Sequence, residues 1–174
     1  MFTLIGTAFT FHIVDIFTNA GFARSRAIRI FFPAAVISSV LHLVASYLSD
    51  YIKLKYFIIV QLLGLLLLSG GIVFLPAGAP VLLLIMGHGI VIGMVGTTSS
   101  ISFPNYFGLK HLGAITGFAV SWQVAGSAIG PYLFSLSSDF SGSYTLAAVI
   151  GFIICTLLLV GAVFMEQPKR AKSA

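Results

Sequence analysis

Residues 56–75 read YFIIVQLLGLLLLSGGIVFL. No charged side chain interrupts these twenty residues, which as a helix rising 1.5 Å per residue are about 30 Å long, the thickness of a bilayer's hydrocarbon core. A membrane-barrel strand would alternate apolar and polar positions with a period of two. Leu62 to Leu68 does not alternate, and neither does Leu157 to Val160. Both runs predict helices.

The rest of the chain has the same character. Of its 174 residues 59% are apolar and 7% charged, with a mean hydropathy of +1.10, against about 25% charged in soluble domains. This excludes a soluble globular domain and predicts an all-α polytopic membrane protein. Apolar runs broken by charge or by Pro/Gly clusters predict six spans, at 2–18, 29–49, 56–75, 80–101, 113–136 and 143–165. Turns are predicted at Pro76, Gly78 and Pro80, from Phe103 to Gly108, and from Ser137 to Ser143. Residues 167–174 read as a basic, disordered cytoplasmic tail near anionic headgroups. The first span starts at Phe2 without a basic leader, so the chain reads as a fragment that lacks an upstream flank.

Nine Lys/Arg against four Asp/Glu give a net charge of +5. So few charges make no phosphate-neutralising face, which excludes nucleic acid as a partner. They read as topological signals. With a cytoplasmic N-terminus, Lys53, Lys55, Lys110, Lys169, Arg170 and Lys172 fall inside and Arg24, Arg26 and Arg29 outside. The C-terminus is then cytoplasmic, in an inner or plasma membrane. Cys155 is the only cysteine, so there is neither a disulfide framework nor a cysteine metal motif. No metalloprotease, serine-hydrolase or phosphate-loop motif occurs. The sequence therefore calls for no catalytic residue, metal or cofactor.

Six polar residues within the spans are candidates for a substrate or proton pathway. His12 and Asp15, three apart, share a helix face, and an ionisable pair inside a membrane needs a cavity or a partner. The plain alternative is a hydrated Asp15 at the interface with His12 packed beside it. His42 and His88 lie within their spans and titrate near neutrality, so either could relay protons. Each could equally bond a neighbouring helix carbonyl, the more so for His88 between Gly87 and Gly89. Trp122 and Gln123 fall at the midpoint of the fifth span, where an indole and an amide can line a cavity or act as interhelical glue. Gly89 and Gly93, with Gly113, Gly117, Gly126 and Gly130, form small-residue faces for close helix packing. Gly130-Pro131 predicts a kink or an unwound turn.

Residues 46–55, SYLSDYIKLK, resemble the cytoplasmic signature of the major facilitator superfamily, in which a glycine, an aspartate and a basic cluster follow the second helix of each half. Asp50, Lys53 and Lys55 fit its character. Ser46 stands where a glycine is usual and Tyr51 where an arginine is usual, as in the degraded copy of the C-terminal half. Residues 103–117, FPNYFGLKHLGAITG, followed by Gly130-Pro131, resemble the entry into helix eleven of carriers of the oxalate/formate antiporter and monocarboxylate porter type. The resemblance covers the whole chain as helices seven to twelve.

It implies secondary active transport of a small solute by alternating access, with a substrate site at the bilayer midplane. Asp50, Lys53 and Lys55 would then form a cytoplasmic gate. An organic anion such as a carboxylate is the implied substrate. The usual cation of such carriers, an arginine in helix eight or a lysine in helix eleven, is missing, and His42 stands about where the arginine would. The implied partners are the lipid bilayer, the solute, and either a separate N-terminal six-helix half or a second copy of the chain. A non-transporting assembly subunit is the competing reading. Convergence of the polar residues on one face would favour transport, and scattered directions the subunit.

Overall fold

The computed structural model of the chain describes residues 1–75, 81–108 and 110–165, the side chain of Asn105 apart. The expected turn at Pro76, Gly78 and Pro80 and the expected tail 167–174, with Lys169, Arg170 and Lys172, lie outside the described residues. Seven helices follow in order: α1 (Phe2–Asn19), α2 (Arg24–Arg29), α3 (Phe31–Leu48), α4 (Leu54–Phe74), α5 (Leu82–Phe107), α6 (Leu112–Ser141) and α7 (Thr145–Phe164). The described residues contain no strand. An apolar chain satisfies its backbone N–H and C=O groups within each segment only as helix, which is why this composition has that outcome.

Among the described residues five helical stretches are long and apolar enough to cross a membrane: 24–48, α4, 82–104, α6 and α7. The sixth expected span, α1, is absent from that set. Thr3, Thr7, Thr10, His12, Asp15 and Thr18 dilute its apolar content. It is nonetheless central, with Ile5, Phe9, Ile13 and Phe17 buried in one cluster with Leu62, Leu65, Leu68 and Ile72 of α4. That four-residue spacing keeps one stripe inward and the hydroxyls elsewhere.

Two expected turns are helical. α5 runs through Pro104 to Phe107, and α6 runs unbroken through Pro131 to Ser141, with no unwound turn at Gly130-Pro131. Proline removes one backbone donor, but what ends each helix is a glycine that reaches a left-handed φ. Gly108 (φ 71°) donates its N–H to Pro104 O at 3.0 Å, and Gly142 (φ 70°) donates to Ser138 O at 2.8 Å. Each satisfies an orphan carbonyl, Gly142 in the αL conformation and Gly108 with a positive φ but an extended ψ of −172°. The loop after α1 also holds a helix, α2, anchored by Ala27 and Ile30, which are buried, while Arg24, Arg26 and Arg29 stay exposed.

The closest packing is between α4 and α5, α3 and α5, α4 and α7, and α1 and α6. Glycines set most of these approaches. A β-carbon at Gly87 would strike the Leu68 backbone of α4. At Gly89 and Gly93 it would meet Ala34 O and Ser38 O of α3, at 2.9 and 2.8 Å. On α6 a β-carbon at Gly126 would meet Thr3 Oγ1 at 2.7 Å, and one at Gly130 would strike Leu4 O. At Gly113 and Gly117 it would meet nothing within 4 Å. The reason is register. The start of α1 lies opposite Gly126 of α6 and, through Ile5, opposite Gly151 of α7, so the first turns of α6, about 15 Å of helix, extend past α1.

A side chain at Gly130 should therefore separate α1 from α6, and one at Gly117 should not. In detergent, Gly130→Val is expected to lower unfolding stability by about 1–3 kcal/mol. Gly117→Ala should leave it unchanged or raise it by up to about 1 kcal/mol through helix propensity. Equal losses in the two variants would refute this packing.

Candidate functional site

Thr3, Thr7 and Thr10 occur at i, i+4 and i+7 of α1, so one face of that helix carries a ladder of hydroxyls. Facing them across a groove are Ile92 and Val95 of α5. Phe2, Gly6 and Phe11 complete the lining. Val95 lies midway between Leu82 and Phe107, so the groove sits at the middle of α5. The Thr10 hydroxyl donates to Gly6 O at 2.9 Å, and Thr7 Oγ1 donates to Ser127 Oγ of α6 at 3.4 Å. Their hydrogens are thus committed and their lone pairs remain.

None of the six expected pathway residues lines this groove. His42, exposed on α3, lies outside it, against the α3-facing side of α5, where its ring comes within 2.8 Å of where a β-carbon on Gly96 would stand. Its Nδ1 lies 3.3 Å from Gly93 O and 3.5 Å from Thr97 Oγ1, which in turn is 3.4 Å from Ser46 Oγ. A carbonyl only accepts, so the Gly93 bond places the hydrogen on Nδ1 and leaves a lone pair on Nε2.

His12 donates through Nε2 to Pro131 O of α6 at 3.0 Å, and its ring stands 5.0 Å from that of Tyr144. Asp15 is exposed one turn further along α1, close enough to act on the Tyr144 hydroxyl. Burial, more than any neighbour, holds that hydroxyl above the usual tyrosine range. His88 is buried between Phe9 of α1 and Phe31 of α3, each ring centroid 5.5 Å away. Its Nδ1 has no hydrogen-bond partner among the described residues. Trp122 is 66% exposed and packs edge-on to Phe118 at 6.3 Å, and Gln123 is half-buried. The three histidines within the helices thus look three ways, two toward carbonyls of neighbouring helices and one into an aromatic slot.

The expected gate residues also separate. Asp50 and Lys53 are exposed. Lys55 reaches across to donate to Val163 O in the last turn of α7, where carbonyls lack intrahelical partners and a cation meets the negative end of the helix dipole. The threonine ladder is what the sequence reading missed. Its signal was present in the i, i+4, i+7 spacing, but threonine is common in membrane helices and carries no charge to draw notice. A second cleft, between α1, α6 and α7, is walled by Leu133, Phe134, Leu146 and Ile150 among others and is almost wholly apolar. The described residues hold no cluster of three or more His, Cys, Asp or Glu able to bind a metal.

No family model, curated protein or solved structure matches this chain.

Removing the Lys55 ammonium should loosen the end of α7. Lys55→Met is expected to speed amide hydrogen exchange over 160–165 several-fold, with Lys53→Met leaving it as in the parent protein. Unchanged exchange in Lys55→Met would show that the contact does not hold the helix end.

Proposed function

We propose that the chain is an integral membrane component of a secondary transporter, moving a small solute by alternating access through the groove between α1 and α5. The observation that carries this reading is the position of polar groups at mid-depth. Ser39, His42 and Ser121 are exposed within helices whose composition otherwise suits lipid. His42 and Ser121 bond helix carbonyls, yet a polar face is still disfavoured against hydrocarbon, so this one is expected to border water or protein.

The helix pairing supports the same reading. Taking α2 and α3 as one span, exchanging the first three spans with the last three converts the α1–α6 pair into the α5–α3 pair and leaves the α4–α7 pair in place. With an odd number of spans per repeat the copies run in opposite directions, which is the arrangement of an inverted repeat. The exchange is imperfect, because α4 packs extensively on α5 while its counterpart, α1 on α7, is a slight contact centred on Ile5 and Gly151.

In this proposal the exposed face is completed by a separate six-helix half or by a second copy of the chain. The end bearing Lys53, Lys55 and Lys110 is cytoplasmic. Asp50 and Lys53 are available as gate charges, while Lys55 braces α7. An organic anion at the groove would meet no cationic side chain in the lining. The competing reading, a non-transporting assembly subunit, draws on the scattered directions of His12, His42 and His88, two of them bonded to helix carbonyls and none lining the groove.

Water access separates the two. In a Cys155→Ser background reconstituted in proteoliposomes, Val95→Cys should react with a membrane-impermeant maleimide, and Ile153→Cys on the exposed side of α7 should not. Solute uptake should accompany that access. A Val95→Cys thiol closed to water, with no uptake, would sink the transport proposal and leave the subunit.

A further inference from the structure

We propose that the groove between α1 and α5 recognises the ammonium head of a small organic cation. The inference deepens the transport reading and rests on it for function, but not for binding. Its basis is the inventory of donors and acceptors. The hydrogens of Thr7 and Thr10 are already given to Ser127 Oγ and Gly6 O, so both hydroxyls offer lone pairs to the groove. No lining side chain is a lysine, arginine or histidine. A carboxylate, which only accepts, would find a donor hydroxyl in Thr3 alone, whereas an ammonium brings three donors that all three threonines can accept.

One further feature favours a cation. Phe2 and Phe11 flank the hydroxyls, and Phe11 is 73% exposed. Aromatic faces attract cations through the ring quadrupole. Asp15, five residues past Thr10, is turned about 140° from it around α1 and lies toward the Tyr144 hydroxyl, so its charge stands outside the groove. The arginines at the same end of α1 belong to α2, and Arg26 is turned onto the Phe22 ring at 4.6 Å.

The test uses the full chain in lipid nanodiscs and three probes of similar shape with different heads: 2-phenylethylamine, 2-phenylethanol and 3-phenylpropionate. Calorimetry should show the amine binding, the alcohol at least about tenfold weaker because charge-assisted bonds are the stronger ones, and the carboxylate not at all. Thr7→Val and Thr10→Val should each weaken amine binding about three- to tenfold, and Thr10→Ser should restore it by keeping the hydroxyl. Preference for the carboxylate, equal binding of all three, or binding of none would overturn the proposal. Amine binding without water access at Val95→Cys and without uptake would uphold the site and refute transport. Water access with carboxylate as the ligand would do the reverse.

Discussion

Close approach of helix backbones is the constraint on which the rest of this structure depends. Lipid tails are as apolar as leucine, so burying side chains against one another gives little advantage to helices packing together in a bilayer. Van der Waals contact at short range must do that work, and short range requires positions without a β-carbon. α5 shows how far this goes. Gly87 opens one face to the Leu68 backbone of α4, and Gly89 and Gly93 open another to the carbonyls of Ala34 and Ser38 in α3. One helix thereby holds two neighbours, and its third side, at Ile92 and Val95, is left to line the groove.

Polar groups are then sorted by whether a backbone partner lies within reach. His12 finds the Pro131 carbonyl and His42 the Gly93 carbonyl, both on helices that glycines have already drawn close. His88 lies between Gly87 and Gly89, where those same approaches bury it, yet what surrounds it is the rings of Phe9 and Phe31 and no acceptor for Nδ1. Ser69 Oγ, on α4, is likewise buried without a partner. Tight packing and polar satisfaction are thus separate requirements, met together at His42 and apart at His88.

The helical class was legible in residues 56–75 because an uninterrupted apolar run fits one structure only. The packing role of Gly89 and Gly93 could be anticipated from spacing, but that of Gly113 and Gly117 could not be told from that of Gly126 and Gly130. Each pair repeats at the same four-residue interval, and the difference lies in the register of α1 against α6, which spacing within one helix does not contain. Helix ends at Gly108 and Gly142 were misplaced because Pro104 and the serines around Ser137 look like breakers. A proline withdraws one donor, whereas only a residue tolerating left-handed φ reverses the chain. The charged and aromatic candidates drew attention through residue type. The groove is instead made of threonines, which become a site only when α5 lies opposite them.

Gly96 shows that packing and polar chemistry cannot be assigned to different residues. It continues the α5 face that meets α3, four residues after Ile92 of the groove lining and one after Val95. Because no β-carbon stands there, the His42 ring can lie against α5 while its Nδ1 reaches the Gly93 carbonyl. That bond fixes which nitrogen keeps its lone pair, and so whether the ring's free edge, at the border of α3 and α5, accepts or donates. A methyl group at position 96 would fall 2.8 Å from the ring carbon Cε1 and force the imidazole away from Gly93. The hydrogen would then no longer be held on Nδ1, and the acceptor character of that border would be lost with it. The packing requirement of α3 on α5 therefore also sets the chemistry of the seam between them.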